Sequence, residues 1–408
     1  MRNFKLVIIT VLVLNGTVGY SQHTAIVQKL TLINRAFTLK TDSLFRSDLS
    51  KDFSVSTYMG SAALFSLRQV VQNYKIDSMV LDNVQQQDSF YVADVKIMGG
   101  KDSTTKFYFN KQNQLLRADL FDNLYGMDRN KPAVKVAAIP FEDHNGSIVL
   151  LISLNDNKRK LRFLFDTGAD GMMINTALAD TLGLIVSKEQ KASVVGGNIN
   201  IKVSENNRVH LDDFVLPHQS IAIFGNTNPD HDGIIGNTIA KKYITQIDYN
   251  KKEMILYTLG KMNIPGVAMK LPVYTTTGNI LFDAELKMEN NQPIPCSITF
   301  DTGAGYDLIV FRPTVLKHKM LVSGFVADST GSTVSMGIAT PVFHGKAKSI
   351  TFMPKWKLNN FPITLMGAST SGARWNPDAS GSLGIRFIAK YNFTINLVDR
   401  YISFEKSL

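Results

Sequence analysis

The chain has 408 residues, 44% hydrophobic and 19% charged, which excludes a disordered or collagen-like polymer and leaves room for two or three cores. Its formal net charge of +10 comes from scattered lysines and arginines, not from a basic stripe interleaved with aromatics, so no nucleic-acid partner is expected. Cys296 is the only cysteine, which excludes an intrachain disulfide and any cysteine-based metal centre.

Residues 1–21 read as a secretory signal: Arg2 and Lys5, an apolar stretch from Leu6 to Leu14, then small residues near Gly19 and Ser21. The apolar run falls short of the ~18 to 20 residues that a membrane span needs. Cleavage after Ser21 would leave Gln22 first and lower the net charge from +10 to +8, since Arg2 and Lys5 depart. No cysteine follows that would carry a lipid. The expectation is an exported chain, periplasmic or secreted, with no integral membrane span once the signal is removed. Export without disulfides suits a bacterial envelope.

Residues 22–132 form a region of their own. Ile26, Leu30, Ile33 and Phe37, then Ala62, Phe65, Leu67, Val70 and Val71, recur at helical spacing. Ser89 to Val95, Lys106 to Phe109 and Gln114 to Leu120 alternate as strands do, with a turn at Asn110 to Asn113. Helices first and an antiparallel sheet after predict a small α+β domain. Its order resembles the cone-shaped folds of the nuclear-transport-factor and ketosteroid-isomerase kind. No acid/base set clusters there, so an accessory or docking role is expected, whether it recruits substrate, dimerises or restrains a cleft. The polar segment from Tyr125 to Lys135, with Pro132, reads as a linker.

Beyond it the sequence repeats itself. Phe165-Asp166-Thr167-Gly168-Ala169 recurs as Phe300-Asp301-Thr302-Gly303-Ala304, each at the end of an apolar run. Upstream, Gly146-Ser147-Ile148-Val149-Leu150 matches Gly278-Asn279-Ile280-Leu281-Phe282. Downstream, Gly233-Ile234-Ile235-Gly236 matches Gly381-Ser382-Leu383-Gly384, and Lys242-Tyr243 matches Lys390-Tyr391. Common landmarks in one order indicate a tandem duplication, with boundaries at 133–262 and 263–408. Short strands with glycine turns dominate both copies. Brief helices are expected at Thr176 to Leu182, capped by Asn175 and stopped by Gly183, and at Arg312 to Lys319. Further helical turns are expected near Asn237 to Lys242 and Arg386 to Lys390.

A carboxylate at the end of a buried strand is costly unless it is hydrogen-bonded or shares a proton. Two of them face to face make an acid/base pair. At these residues the chain resembles aspartic peptidases, each copy looking like a retroviral-type (retropepsin-like) protomer. The resemblance covers about two thirds of the sequence, from Val134 onward. It implies a mainly β, bilobal acid-protease-like pair of β-barrels with pseudo-twofold symmetry, preceded by the small α+β domain. It also implies Asp166 and Asp301 as the catalytic pair, sharing one proton and activating a water. Thr167 and Thr302 would hydrogen-bond across the axis, Gly168 and Gly303 would admit backbone N–H groups, and Ile235-Gly236 and Leu383-Gly384 would back the loops. The implied substrate is a polypeptide in extended conformation, cut by an endopeptidase that needs neither metal nor other cofactor and works as a monomer.

Flap hairpins are expected at Gly196 and Gly197 in the first copy and at Gly331 in the second, where ordinary surface hairpins are the alternative. Ala169 and Ala304 stand where digestive-type relatives carry a hydroxyl that would lower the pair's pKa, so activity is expected at weakly acidic to near-neutral pH. Ser382, in the place of apolar Ile234, suggests looser support for the second loop. Which aspartate starts protonated is open. Two other functions are compatible with the residues: a silent peptide- or glycan-binding scaffold, and carboxylates acting on a glycosidic bond, which requires a separation of at least ~5 Å.

Overall fold

The structure, a computed structural model, describes residues 20–99, 102–195, 197–225, 230–264, 269–276, 278–290, 292–335, 338–368 and 375–406. The expected signal segment lies outside the described residues except for Tyr20 and Ser21, which open a helix. The chain divides into two compact units, residues 1–56 with 63–125, and residues 57–62 with 126–408.

The first unit is α+β. Helix α1 (Tyr20–Leu39) buries Ile26, Leu30, Ile33 and Phe37, one stripe at three- and four-residue spacing. Helix α2 (Gly60–Asn73), which belongs to this unit from Ala63 onward, buries Ala63, Leu67, Val70 and Val71 in the same way. Four antiparallel strands follow in chain order: β1 (Ser78–Gln87), β2 (Phe90–Met98), β3 (Ser103–Asn110) and β4 (Leu115–Ala118). Phe121, from the short helix α3 (Asp119–Leu124), packs edge-on against Phe107 at 5.8 Å and stacks with Phe37 at 6.5 Å. Two details depart from the sequence reading. Leu120 lies in α3, not in a strand. Strand β1 has no alternating pattern because its second half, Gln85 to Gln87, is solvent-exposed and is held only by main-chain pairing with β2.

The second unit is almost wholly β. It begins with β5 (Met127–Pro132), in the segment that reads as a linker. That strand pairs in parallel with β16 (Leu259–Lys261), burying Met127 opposite Leu259. Main-chain hydrogen bonds place no demand on side-chain polarity, which is why so polar a run can be a strand. The rest forms two halves of one connectivity. In the first, β6 (Lys135–His144) leads to β7 (Ser147–Leu154), β8 (Leu161–Asp166), β9 (Met172–Asn175), β10 (Lys188–Val194), β11 (Gly197–Leu211), β12 (Phe214–Phe224) and β13 (Gly233–Gly236). In the second, β17 (Met269–Pro272) leads to β18 (Leu281–Lys287), β19 (Ile294–Phe300), β20 (Leu308–Val310), β21 (Ala327–Ser335), β22 (Ile338–Met353), β23 (Trp356–Met366) and β24 (Gly381–Leu383). Spatially the first half runs β7-β8-β13-β9-β12-β11-β10 and the second β18-β19-β24-β20-β23-β22-β21. The parallel and antiparallel pairings follow the same succession in both.

The halves are joined by a continuous sheet. Strands β14 (Ile244–Asp248) and β15 (Glu253–Tyr257) end the first half, β25 (Tyr391–Asn396) and β26 (Tyr401–Lys406) the second. They run in the order β6-β15-β14-β25-β26-β17, with β14 and β25 meeting at Thr245 opposite Ile395 and Ile247 opposite Phe393. Phe300, Phe393 and Phe404 pack edge-to-face at this joint, 5.3 and 6.1 Å between centroids. One apolar core therefore runs through both halves.

Short helices punctuate the strands. Helix α4 (Thr176–Thr181) starts at Asn175, whose side chain accepts the Leu178 N–H at 2.7 Å, and Gly183 follows with a φ of +66°. Helix α6 (Arg312–Lys317) starts with a proline in its first turn. Helices α5 (Thr238–Lys242) and α7 (Ile385–Ile388) directly follow β13 and β24. Thr57 to Ala62 belong to this unit as well. Thr57 Oγ1 donates to the Lys241 carbonyl at 2.9 Å, and Thr275 Oγ1 donates to the Thr57 carbonyl at 2.5 Å. A six-residue segment from far upstream thus ties one half to the other. Among the described residues, no helix is long and apolar enough to cross a membrane.

Candidate active site

Strand β8 delivers Asp166 at its last position, in register with Gly236 of β13. Asp301 directly follows β19, where its N–H donates to the Leu383 carbonyl at 3.0 Å. Each aspartate precedes a fully buried threonine, and the two threonines interlock. Thr167 Oγ1 donates to the Phe300 carbonyl at 2.7 Å, and Thr302 Oγ1 donates to the Phe165 carbonyl at 2.7 Å. Each hydroxyl also accepts the other threonine's backbone N–H, at 3.0 and 3.1 Å. Four reciprocal bonds hold the two loops face to face. No apolar side chain of similar size could make any of them.

The glycines mark how closely the loops approach. A Cβ on Gly168 would collide with the Asp301 carboxyl group, and one on Gly303 would collide with that of Asp166. Their N–H groups instead donate to their own loop's aspartate, Gly168 to Asp166 Oδ1 at 2.9 Å and Gly303 to Asp301 Oδ1 at 3.0 Å. Behind the loops, Ile235 is fully buried opposite Phe165, and Leu383 is fully buried opposite Phe300. Gly236 and Gly384 pass so close to the loop carbonyls, Ala169 and Gly171 in one half and Ala304 and Tyr306 in the other, that a side chain would not fit. The Asn237 N–H donates to Ala169 at 2.9 Å and the Ile385 N–H to Ala304 at 2.8 Å. Each loop is also tied by an ion pair to the region after its backing strand: Asp170 with Lys241, and Asp307 with Lys390 at 3.1 Å.

Asp166 and Asp301 are both half-buried. Burial pushes the Asp166 carboxyl well above the usual carboxylate range, reinforced by the nearby Asp301 charge and by a hydrogen bond between the two groups. Burial raises Asp301 as well, but hydrogen bonds from Asp166, Ser382, Gly303 and Ala304 pull it back down. Burial and mutual proximity make charging both members unfavourable.

The two segments expected to carry flaps differ between the halves. Strands β10 and β11 form a hairpin closing at Val194 opposite Gly197, so buried Gly197 begins the returning strand and Gly196 lies outside the described residues. At its tip Val195 packs against an apolar cluster of the other half that includes Ile309, Phe311 and Val342, with Tyr306 and Trp375 alongside. The hairpin therefore reaches across from one half to the other. Gly331 requires a correction. It lies inside β21, paired with Val342, and β21 continues to Ser335, opposite Ile338. Its run of small and hydroxyl-bearing residues reads like a turn, yet no residue within it needs a positive φ, and it forms an extended edge strand.

Ser382, the counterpart of Ile234, is buried, 4% exposed, and lies in register with Thr299 of β19 and Ile309 of β20. Among the described residues, no group of three or more His, Cys, Asp or Glu side chains could hold a metal ion.

The model of a family described as aspartyl protease matches residues 152–239, which run from β7 through Asp166 into α5. No curated protein matches the chain. Among solved structures, the crystal structure of an aspartic proteinase from Irpex lacteus is similar, with a TM-score of 0.44 and 11% identity over 66% of this chain and 97% of that one.

Two consequences follow for stability. Thr167→Val should destabilise the protein by about 2–5 kcal/mol in chemical denaturation, because it leaves the Phe300 carbonyl and the Thr302 N–H buried without partners. Thr167→Ser should retain most of that stability. Asp166→Asn should act in the opposite sense, with a pH dependence. A carboxyl whose folded pKa is raised stabilises fully below its unfolded pKa, near 3.9, and loses that contribution as pH rises through the folded value. Thermal melts should therefore coincide for wild type and Asp166→Asn at strongly acid pH. The variant should melt progressively higher than wild type as pH increases.

Proposed function

We propose that the chain is an exported aspartic endopeptidase that hydrolyses peptide bonds with a water activated between Asp166 and Asp301. The observation that carries this reading is the interlock of Thr167 and Thr302, which brings two half-buried, hydrogen-bonded carboxyl groups together at the meeting point of two halves of like connectivity. The match to an aspartyl protease family over residues 152–239 supports it. We read the two halves as a tandem duplication, so the pair is complete in one chain and a monomer suffices.

In this mechanism the ionised member takes a proton from water, which attacks the peptide carbonyl, while the protonated member donates to the developing oxyanion. The proton then reaches the leaving amine. Raised carboxyl pKa values suit weakly acidic to near-neutral operation. An extended polypeptide would lie beneath the β10–β11 hairpin, whose strands offer main-chain hydrogen bonds. The Val195 contact with the opposite apolar cluster favours apolar side chains on that side of the scissile bond. Glycoside hydrolysis is the weaker reading, because that chemistry needs carboxyls ~5 Å or more apart, whereas here each abuts the opposite loop's glycine.

Cleavage of a diverse peptide pool, read by mass spectrometry across about pH 3 to 8, tests the proposal. Wild type should cut, and folded Asp166→Asn and Asp301→Asn should each lose at least about a thousandfold in rate. A folded wild type that cuts nothing, with peptide binding intact, would point to a binding scaffold. Activity surviving either substitution would place the chemistry elsewhere.

A further inference from the structure

The joint between the two halves has two sides of like construction. On each, the glycine turn before β7 or β18 meets the short helical turn behind the other half's aspartate loop. Gly278, at a φ of +108°, lies against Asp170, and its carbonyl accepts from Asn237 Nδ2 at 2.7 Å. Gly146, at a φ of +92°, lies against Ile385 and Ala389. In the register that matches Gly146 with Gly278 and Lys242 with Lys390, Asp143 corresponds to Thr275 and Ala389 to Lys241.

The Gly278 side is covered by the strap of residues Thr57–Ala62. Thr57 Oγ1 donates to the Lys241 carbonyl at 2.9 Å, and Thr275 Oγ1 donates to the Thr57 carbonyl. The Met59 N–H donates to the Thr275 carbonyl at 3.1 Å, and Ser61 Oγ to the Thr276 carbonyl at 3.2 Å. The Tyr58 ring lies 6.0 Å from Lys241 Nζ. Thr275 and Lys241 are both buried there. The Gly146 side instead holds an open cavity of about 350 Å³, lined by Asp143, Asn145, Gly146, Arg386, Ala389 and Lys390 among others. Asp143 is exposed where Thr275 is buried, and Ala389 has no side chain to fill the space that Lys241 takes.

We propose that this cavity is a second peptide seat, apart from the Asp166–Asp301 pair, that takes a short segment of another polypeptide bearing an acidic side chain. The strap shows what such a seat holds: a turn of chain fixed mostly through main-chain groups on the glycine turn and the helix end. Charge selects among such segments. Arg386 is exposed and makes no ion pair among the described residues, and Lys390 beside it is paired with Asp307 at 3.1 Å. Asp143 is turned to its own loop, where Oδ1 accepts the Gly146 N–H at 2.7 Å. On the covered side the Tyr58 ring meets one cation; a residue in that place on the open side meets two, flanking Ala389. A carboxylate there would gain charge-assisted hydrogen bonds. Neither catalytic aspartate lines the cavity, so the inference does not depend on the peptidase reading.

Fluorescence anisotropy on the full chain carrying Asp166→Asn, chosen to exclude turnover, tests it. The probe is a labelled hexapeptide, Thr-Glu-Met-Gly-Ser-Ala, which is the strap's sequence with Glu in place of its tyrosine. Binding should saturate with a Kd on the order of 10 to 100 µM. It should weaken at least about fivefold between ~0.05 and ~0.5 M salt. The same peptide with Gln in place of Glu should bind at least about tenfold more weakly. Ala389→Lys, which restores the side chain of the covered side, should cost at least about tenfold in affinity, and so should Arg386→Ala. Arg386→Ala changes an exposed side chain and should melt with the parent, so its loss reports a lost contact. No saturable binding would overturn the inference. Binding that neither substitution weakens would overturn it too, by placing the peptide elsewhere. So would a dimer in ultracentrifugation that Ala389→Lys dissolves, since a second copy would then cover the seat.

Discussion

Everything at the candidate site hangs on four hydrogen bonds between Thr167 and Thr302. They are the contacts that decide how far apart Asp166 and Asp301 sit, and they are fully buried. In such surroundings an unmade bond costs more than a made one contributes. The two loops therefore have little freedom to drift apart while the halves remain folded. The joint of Phe300, Phe393 and Phe404 works in the same sense from beneath, since Phe300 is at once a core residue and the acceptor of the Thr167 hydroxyl.

That rigidity is what makes an unfavourable arrangement persist. Two carboxyl groups in a protein-lined cleft repel when both are charged, and burial raises both titrations. An isolated pair would separate or recruit a cation. Here the space around each is limited by the opposite loop's glycine: Gly168 abuts the Asp301 carboxyl and Gly303 that of Asp166. Neither aspartate can turn away without meeting a backbone held by the threonines. In the proposed mechanism a shared proton lowers that charge and leaves an acid and a base at one place.

The sequence made the centre of this arrangement legible and the periphery much less so. The Asp-Thr-Gly-Ala loops and the glycines behind them could be read because each residue answers a constraint with few solutions: a hydroxyl that both donates and accepts, or a backbone with no room for Cβ. Helix α4 was readable for a related reason, since Asn175 and Gly183 satisfy specific capping needs. Strands β1 and β5 were not, because main-chain pairing leaves little mark on exposed side chains. Gly331 misled in the other direction. Glycine permits a turn without requiring one, and a small-residue run is equally at home along an edge strand. Thr57 to Ala62 gave no sign of belonging with residues beyond 126, because their contacts with Lys241 and Thr275 are long-range and local patterns carry nothing of them.

Placing both halves in one chain has a chemical consequence. In an assembly of two identical chains, any residue beside one aspartate appears beside the other, so the proton has no intrinsic side. Within a single chain each position can vary alone. Asp170, paired with Lys241, has Gly305 as its counterpart, and Ile234 has Ser382. Ile234 and Ser382 are both buried at the corresponding register of the two backing strands, opposite Leu164 and Thr299, so one half presents an apolar side chain where the other presents a hydroxyl. An assembly of identical chains could not hold that inequality, whereas a single chain of two halves can.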